Sequence, residues 1–139
     1  MPLHARLHIK AGLVFFAAAL ALGVVMAAQP VFNLNPMLAS LRPVFLHMLT
    51  VGWITQIIIG VAYWMFPKMT KQVPRGSTRI AWWVFLLLNI GLILRVFGET
   101  LLVYQPGMVW GVMLAISALL QVGAAWLFIA NTWTRVKER

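Results

Sequence analysis

A chain of 139 residues is about one domain's worth, and with 63% hydrophobic residues it lies outside the composition of soluble globular proteins. Its net charge of +9 would suggest nucleic acid in a soluble protein, but the basic residues cluster beside apolar runs, the pattern of a membrane protein and not of a nucleic-acid binder. There is no cysteine, which excludes disulfides, thioether-linked haem, iron–sulfur clusters and thiol catalysis within this chain.

Four charge-poor runs, at about 11–28, 43–66, 80–103 and 108–130, each approach or exceed the roughly 20 residues a helix needs to cross about 30 Å of hydrocarbon. The first follows Arg6 and Lys10. A signal peptide has a similar outline, and Ala27-Ala28-Gln29 offers small residues for cleavage, which would leave three spans; the retained helix is the expected state. Pro30, Asn33, Asn35 and Pro36 then break the chain before Ser40, a candidate cap for the second run, with Pro43 in its opening turn. Pro67, Pro74 and Gly76 mark the central link, and Tyr104 to Gly107 a tight hairpin between the last two runs.

Short links force neighbouring helices to run antiparallel, so the expected fold is all-α: a single membrane domain over 1–139, an up-down-up-down bundle of four transmembrane helices. Lysine and arginine gather before the first run, in the central link (Lys68, Lys71, Arg75, Arg79) and after the fourth (Arg135, Lys137, Arg139). The positive-inside bias then makes both termini cytoplasmic, most simply in a prokaryotic cytoplasmic membrane. Those clusters can touch anionic lipid of the bilayer, at about 1 kcal/mol per basic residue. Trp64, Trp82, Trp83 and Trp133 fall near the inner boundary and Trp110 near the outer one, as an aromatic belt would. Small residues at Ala19, Gly23 and Ala27, at Gly52 and Gly60, and at Gly111 and Ala115 allow close helix approach, either within one chain or between copies in a homo-oligomer.

Against this background the most costly residue is His47, an ionisable side chain inside the second run, about a turn and a half below its outer end. Arg95 and Glu99 approach the outer end of the third run at a similar depth, with Arg42 above them at the surface. Arg95 and Glu99 are four residues apart and can pair, so structural neutralisation stands beside a ligand or cofactor site as a reading. His47 has three readings: a haem or metal ligand, a hydrogen bond to a quinone, or a bond to another helix. Gln56, Asn89, Ser117 and Gln121 suit hydrogen bonds between helices. His4 and His8 share a face if the helix continues back to them and could then hold a metal, but a solvated tail is the expectation, a membrane thickness away from His47.

The ordered residues His47-x-Leu49-Thr50-Val51-Gly52-Trp53, Gly60-Val61-Ala62-Tyr63-Trp64-Met65-Phe66-Pro67, Pro74-Arg75-Gly76 and Asn89-x-Gly91 through Arg95 resemble short membrane proteins related to haem-copper oxidase subunit I. The stretch is also similar to the NnrS-type haem and copper membrane proteins, and the likeness runs from residue 43 to residue 99. It implies that His47 is a ligand to the iron of haem b and that Arg42 and Arg95, with Glu99 beside them, lie near its propionates. The oxidase subunit completes its haem and copper centres with histidines on later helices, and this chain has none there. An oxygen-reducing binuclear centre is therefore not expected. The second axial ligand would come from His47 of another copy, from a methionine, or from nothing.

The leading expectation is a haem-b-binding membrane protein acting in electron transfer or in haem or gas sensing. The alternative is a cofactor-free accessory or assembly subunit beside respiratory-complex subunits. A quinone site at His47 with Glu99 or Arg95 is a third. A stand-alone enzyme is the weakest class, because no paired intramembrane carboxylates are present, and four helices lack the inverted repeats usual in transporters.

Overall fold

The computed structural model describes residues 1–67 and 76–136. Lys68, Lys71, Pro74, Arg75, Lys137 and Arg139 lie outside the described residues. All regular structure among the described residues is helical. Helix α1 covers Leu3–Ala28; a 3-10 turn, Pro36–Leu41, leads into α2, Arg42–His47, which continues through a π-helical segment, Met48–Thr55, into α3, Gln56–Met65. Helices α4, Thr78–Tyr104, and α5, Met108–Thr132, follow, with a closing 3-10 turn at Trp133–Arg135. Four helical stretches, Leu3–Ala28, Pro36–Met65, Thr78–Tyr104 and Met108–Arg135, are long and apolar enough to cross a membrane.

Two helix starts differ from the sequence expectation. The second stretch begins at Pro36 because the Asn35 side chain accepts from Met37 N at 2.9 Å and Pro36 fits the first turn. Ser40 is thus inside that turn, and α2 starts with no side-chain cap. Helix α1 begins at Leu3, immediately after the extended Pro2, and this carries His4 and His8 into the helix. The expectation of a solvated histidine tail is overturned: His4, Ala5, His8 and Gly12 are buried on one face while Arg6 and Lys10 are exposed on the other.

Small residues set the seams. A Cβ on Gly60 would stand 2.9 Å from the Ala5 carbonyl oxygen, one on Gly52 2.9 Å from Phe15, and one on Gly23 3.0 Å from Phe45. Residue numbers therefore fall along α1 as they rise along the second stretch. Between α4 and α5 a Cβ on Gly91 would meet the Ser117 carbonyl oxygen at 3.1 Å and one on Gly98 would meet Leu114 at 2.9 Å. Backbones this close gain dispersion contacts that lipid tails cannot supply. Gly111 has nothing within 4 Å and Ala115 is exposed, so the small pair of α5 takes no part in internal packing.

Two apolar clusters fill the interior. One gathers Ile59, Tyr63, Val84, Leu88 and Leu92 with Ala5 and Ala124; the other joins Leu41, Val44 and Met48 to Ala19. Val14, Leu119 and Trp126 are among many large apolar side chains that point outward. Hydrocarbon is a compatible surrounding for such a surface and water is not.

Candidate functional site

His47 is the last residue of α2, directly before the π-helical segment. Its Nδ1 lies 3.0 Å from the Pro43 carbonyl oxygen. A carbonyl only accepts, so in the neutral ring Nδ1 carries the hydrogen and Nε2 carries the lone pair. Glu99 of α4 brings Oε1 to 3.9 Å from the same Nδ1. The ring is tethered on its Nδ1 side, while 29% of the side chain is exposed.

Arg95 donates from Nε to Glu99 Oε1 at 2.6 Å, one helical turn apart on α4. Glu99 is 8% exposed, and its Oε2 is buried with no hydrogen-bond partner. Among the described residues the ion contacts of Glu99 are to Arg95 and His47. Arg42 begins α2 as an exposed side chain five residues before His47. The helices therefore bring His47, Arg95 and Glu99 together and leave Arg42 at the periphery.

The π-helical segment supports this layer. Thr50 donates to the Leu46 carbonyl at 2.7 Å, and Thr55 to the Thr50 carbonyl at 2.9 Å, five residues back. Trp53 stacks on Phe16 of α1 with centroids 4.0 Å apart. Gly52 gives Phe15 room, which ties the segment to α1 at its middle. The sequence offered apolar residues here and no sign of wider turns; the hydroxyls of Thr50 and Thr55 are the signal that could have been read.

A second polar cluster was not anticipated as a unit. His8 Nδ1 stands 3.3 Å from Gln56 Oε1, and Gln56 Nε2 donates to Asn89 Oδ1 at 2.9 Å. The ring of His4 meets Tyr63 edge-on at 5.0 Å, and Asn131 Nδ2 reaches the Tyr63 hydroxyl at 3.4 Å. Asn131 also accepts from Ser77 N at 2.8 Å, where Gly76, with φ of 77°, turns the chain into α4. Arg135, fully buried, donates to the carbonyls of Phe66 at 2.8 Å and Pro67 at 3.2 Å, which α3 leaves without helical partners. Gln56 and Asn89 thus join α3 to α4, and Ser117 donates to the Gly91 carbonyl at 2.8 Å, as expected of such residues between helices. Along the second helical stretch Gln56 lies nine residues beyond His47 and Tyr63 sixteen, so the members of the second cluster on that stretch stand about 13 Å to about 24 Å below His47.

Two cavities border other parts of the second stretch. One of about 490 Å³ is lined by Ile57, Ile58, Val61, Ala62, Met65 and Phe66; another of about 270 Å³ lies among Val51, Thr55, Ile59, Leu88 and Gln121. Neither is lined by His47. Among the described residues no group of three or more histidine, aspartate or glutamate side chains is placed to hold a metal ion, so at His47 this chain supplies a single imidazole. One imidazole with its lone pair on Nε2 would suit haem iron and does not fit a closed protein-only metal site. The chain matches no protein-family model, no curated protein and no solved structure.

Proposed function

We propose that this chain is a haem-b-binding integral membrane protein, related to haem-copper oxidase subunit I, that serves electron transfer or haem or gas sensing without a binuclear oxygen-reducing centre. In this reading the four spans form an up-down-up-down bundle with both termini cytoplasmic, as the distribution of lysine and arginine favours. The supporting observation is the 3.0 Å contact of His47 Nδ1 with the Pro43 carbonyl, which puts the lone pair on Nε2 in a partly exposed side chain. A backbone carbonyl behind Nδ1 is the usual way a ligating histidine is oriented and made more basic.

His47 would supply a nitrogen ligand to the haem iron, and the exposed Arg42, with Arg95, would hold the propionates. Arg95 already uses Nε to neutralise Glu99, so Arg42 carries the larger share of that role. Bound haem would supply one-electron chemistry and an iron position for a small gas. The absence of a second histidine near His47 within the chain makes a homo-oligomer the natural source of a second ligand.

The protein is expressed with ample haem and purified in detergent. A red preparation with a Soret band that shifts on dithionite reduction supports the assignment, and His47→Ala should lose both colour and haem. Colourless protein, or a spectrum unchanged by His47→Ala, would refute it.

A second reading, a cofactor-free accessory or assembly subunit of a membrane respiratory complex, is favoured by one observation. Glu99 is neutralised by Arg95 within the chain, so the polar layer needs no ligand to offset its charge. That reading predicts co-purification with larger respiratory subunits and no haem of its own.

A further inference from the structure

The state of the buried His8 ring follows from a chain of hydrogen bonds that begins at a backbone carbonyl. Asn89 Nδ2 donates to the Phe85 carbonyl at 2.7 Å and to Gln56 Oε1 at 3.3 Å, which leaves Oδ1 to accept from Gln56. Gln56 therefore donates with Nε2, at 2.9 Å, and its Oε1 is the atom 3.3 Å from His8 Nδ1. An amide oxygen only accepts, so Nδ1 carries the hydrogen and Nε2 carries the lone pair. His8 is fully buried, and this Nε2 has no hydrogen-bond partner in the chain.

A bare, buried lone pair is costly unless something occupies it. The adjoining side chain on the same helix face is His4, one turn earlier and 6% exposed. An imidazole has two nitrogens, so His4 can keep a partner on one and coordinate through the other. The i, i+4 spacing turns both rings to the same side of α1, where Tyr63 packs against each.

We propose that His8, through Nε2, and His4 bind one Cu(I) ion at the N-terminal end of α1, a site separate from His47. Ion identity follows from what surrounds the pair. No third histidine, aspartate or glutamate is grouped with them among the described residues, so the donors are two neutral imidazoles. A divalent ion such as zinc seeks four ligands and would bring two uncompensated charges into apolar surroundings. Monovalent copper is satisfied by two nitrogens and carries half that charge. Binding also displaces no proton from His8, because Nε2 is already bare. This proposal does not depend on haem at His47.

The full-length protein, purified in detergent, is titrated anaerobically with Cu(I) against the chromogenic chelator bicinchoninate, and separately with Zn(II). The expected result is about one Cu(I) equivalent per chain, retained in His47→Ala and lost in His8→Ala and in His4→Ala. X-ray absorption on copper-loaded, unsubstituted protein gives a second readout that needs no variant to fold, and should report two nitrogen neighbours and no sulfur. The proposal is overturned by failure to retain Cu(I), by methionine sulfur around the copper, by copper binding that survives His8→Ala, or by Zn(II) bound in preference.

Discussion

Arg95→Met removes the guanidinium whose Nε lies 2.6 Å from Glu99 Oε1, and leaves a carboxylate that is 8% exposed and whose other oxygen already lacks a partner. Opposite unit charges about 4 Å apart attract by about 4 kcal/mol at an effective dielectric near 20. Stripping one partner from a buried pair costs about 3–5 kcal/mol, mostly as the penalty of the orphaned charge. Because Glu99 lies five residues from the end of α4 and 23% of the Arg95 side chain is exposed, the interface partly screens the pair and the expected loss falls at the lower end, about 3 kcal/mol. Glu99→Gln alone should cost less, about 1 kcal/mol, since Arg95 is long enough to carry its charge toward the interface. With both substitutions the orphaned carboxylate is gone, so the double variant should lie within about 1 kcal/mol of Glu99→Gln. Unfolding in mixed micelles with increasing dodecyl sulfate, followed by tryptophan fluorescence, gives the three values and their coupling. A loss below about 1 kcal/mol for Arg95→Met, or a double variant as unstable as the sum of the singles, would show that the pair does not neutralise a buried charge.

Two further substitutions test the packing. Gly60→Leu should cost about 2 kcal/mol or more in the same assay, because a Cβ there already stands 2.9 Å from the Ala5 carbonyl and helix backbones must separate. Gly111→Leu, with nothing within 4 Å, should leave stability within about 0.5 kcal/mol; a large loss would place another chain against that face. Arg135→Ala should destabilise by about 2–4 kcal/mol, since its guanidinium serves the carbonyls of Phe66 and Pro67 at the end of α3. Hydrogen exchange should report the loss first at residues of α3 near Tyr63.

Length and apolarity made the four long helices legible, because a helix without outside hydrogen-bond partners is the simplest way to hide backbone in lipid. The positions of Gln56, Asn89 and Ser117 between helices were legible for the same reason: a lone amide or hydroxyl in an apolar run has to find a partner. The burial of His4 and His8 departs from the expected solvated tail because α1 extends back to Leu3, past the first apolar run and the charges of Arg6 and Lys10. The buried series His4, His8 and Gly12 recurs every four residues and could have extended the helix. The closeness of His47 to Glu99 depended on depth estimates alone, and Arg42 was legible as a surface residue, while the bond from His47 to Pro43 required coordinates. The sequence places Arg135 only in a basic cluster after the fourth run, and its burial against the end of α3 has no local signature there.

The π-helical segment has a consequence for angular phase. Nine residues separate His47 from Gln56, and in an unbroken α-helix they would span about two and a half turns and point in opposite directions. Bonds that reach five residues back place more residues in each turn, so the same nine residues rotate less. Both side chains consequently face α4, where His47 approaches Glu99 at 3.9 Å and Gln56 meets Asn89 at 2.9 Å. The segment works as a rotational offset inserted between two polar clusters, keeping them on one azimuth though they lie at different heights. Restoring α-helical turns over the same residues, Met48–Thr55, would erase the offset and swing His47 away from Glu99, while leaving every residue of both clusters chemically intact.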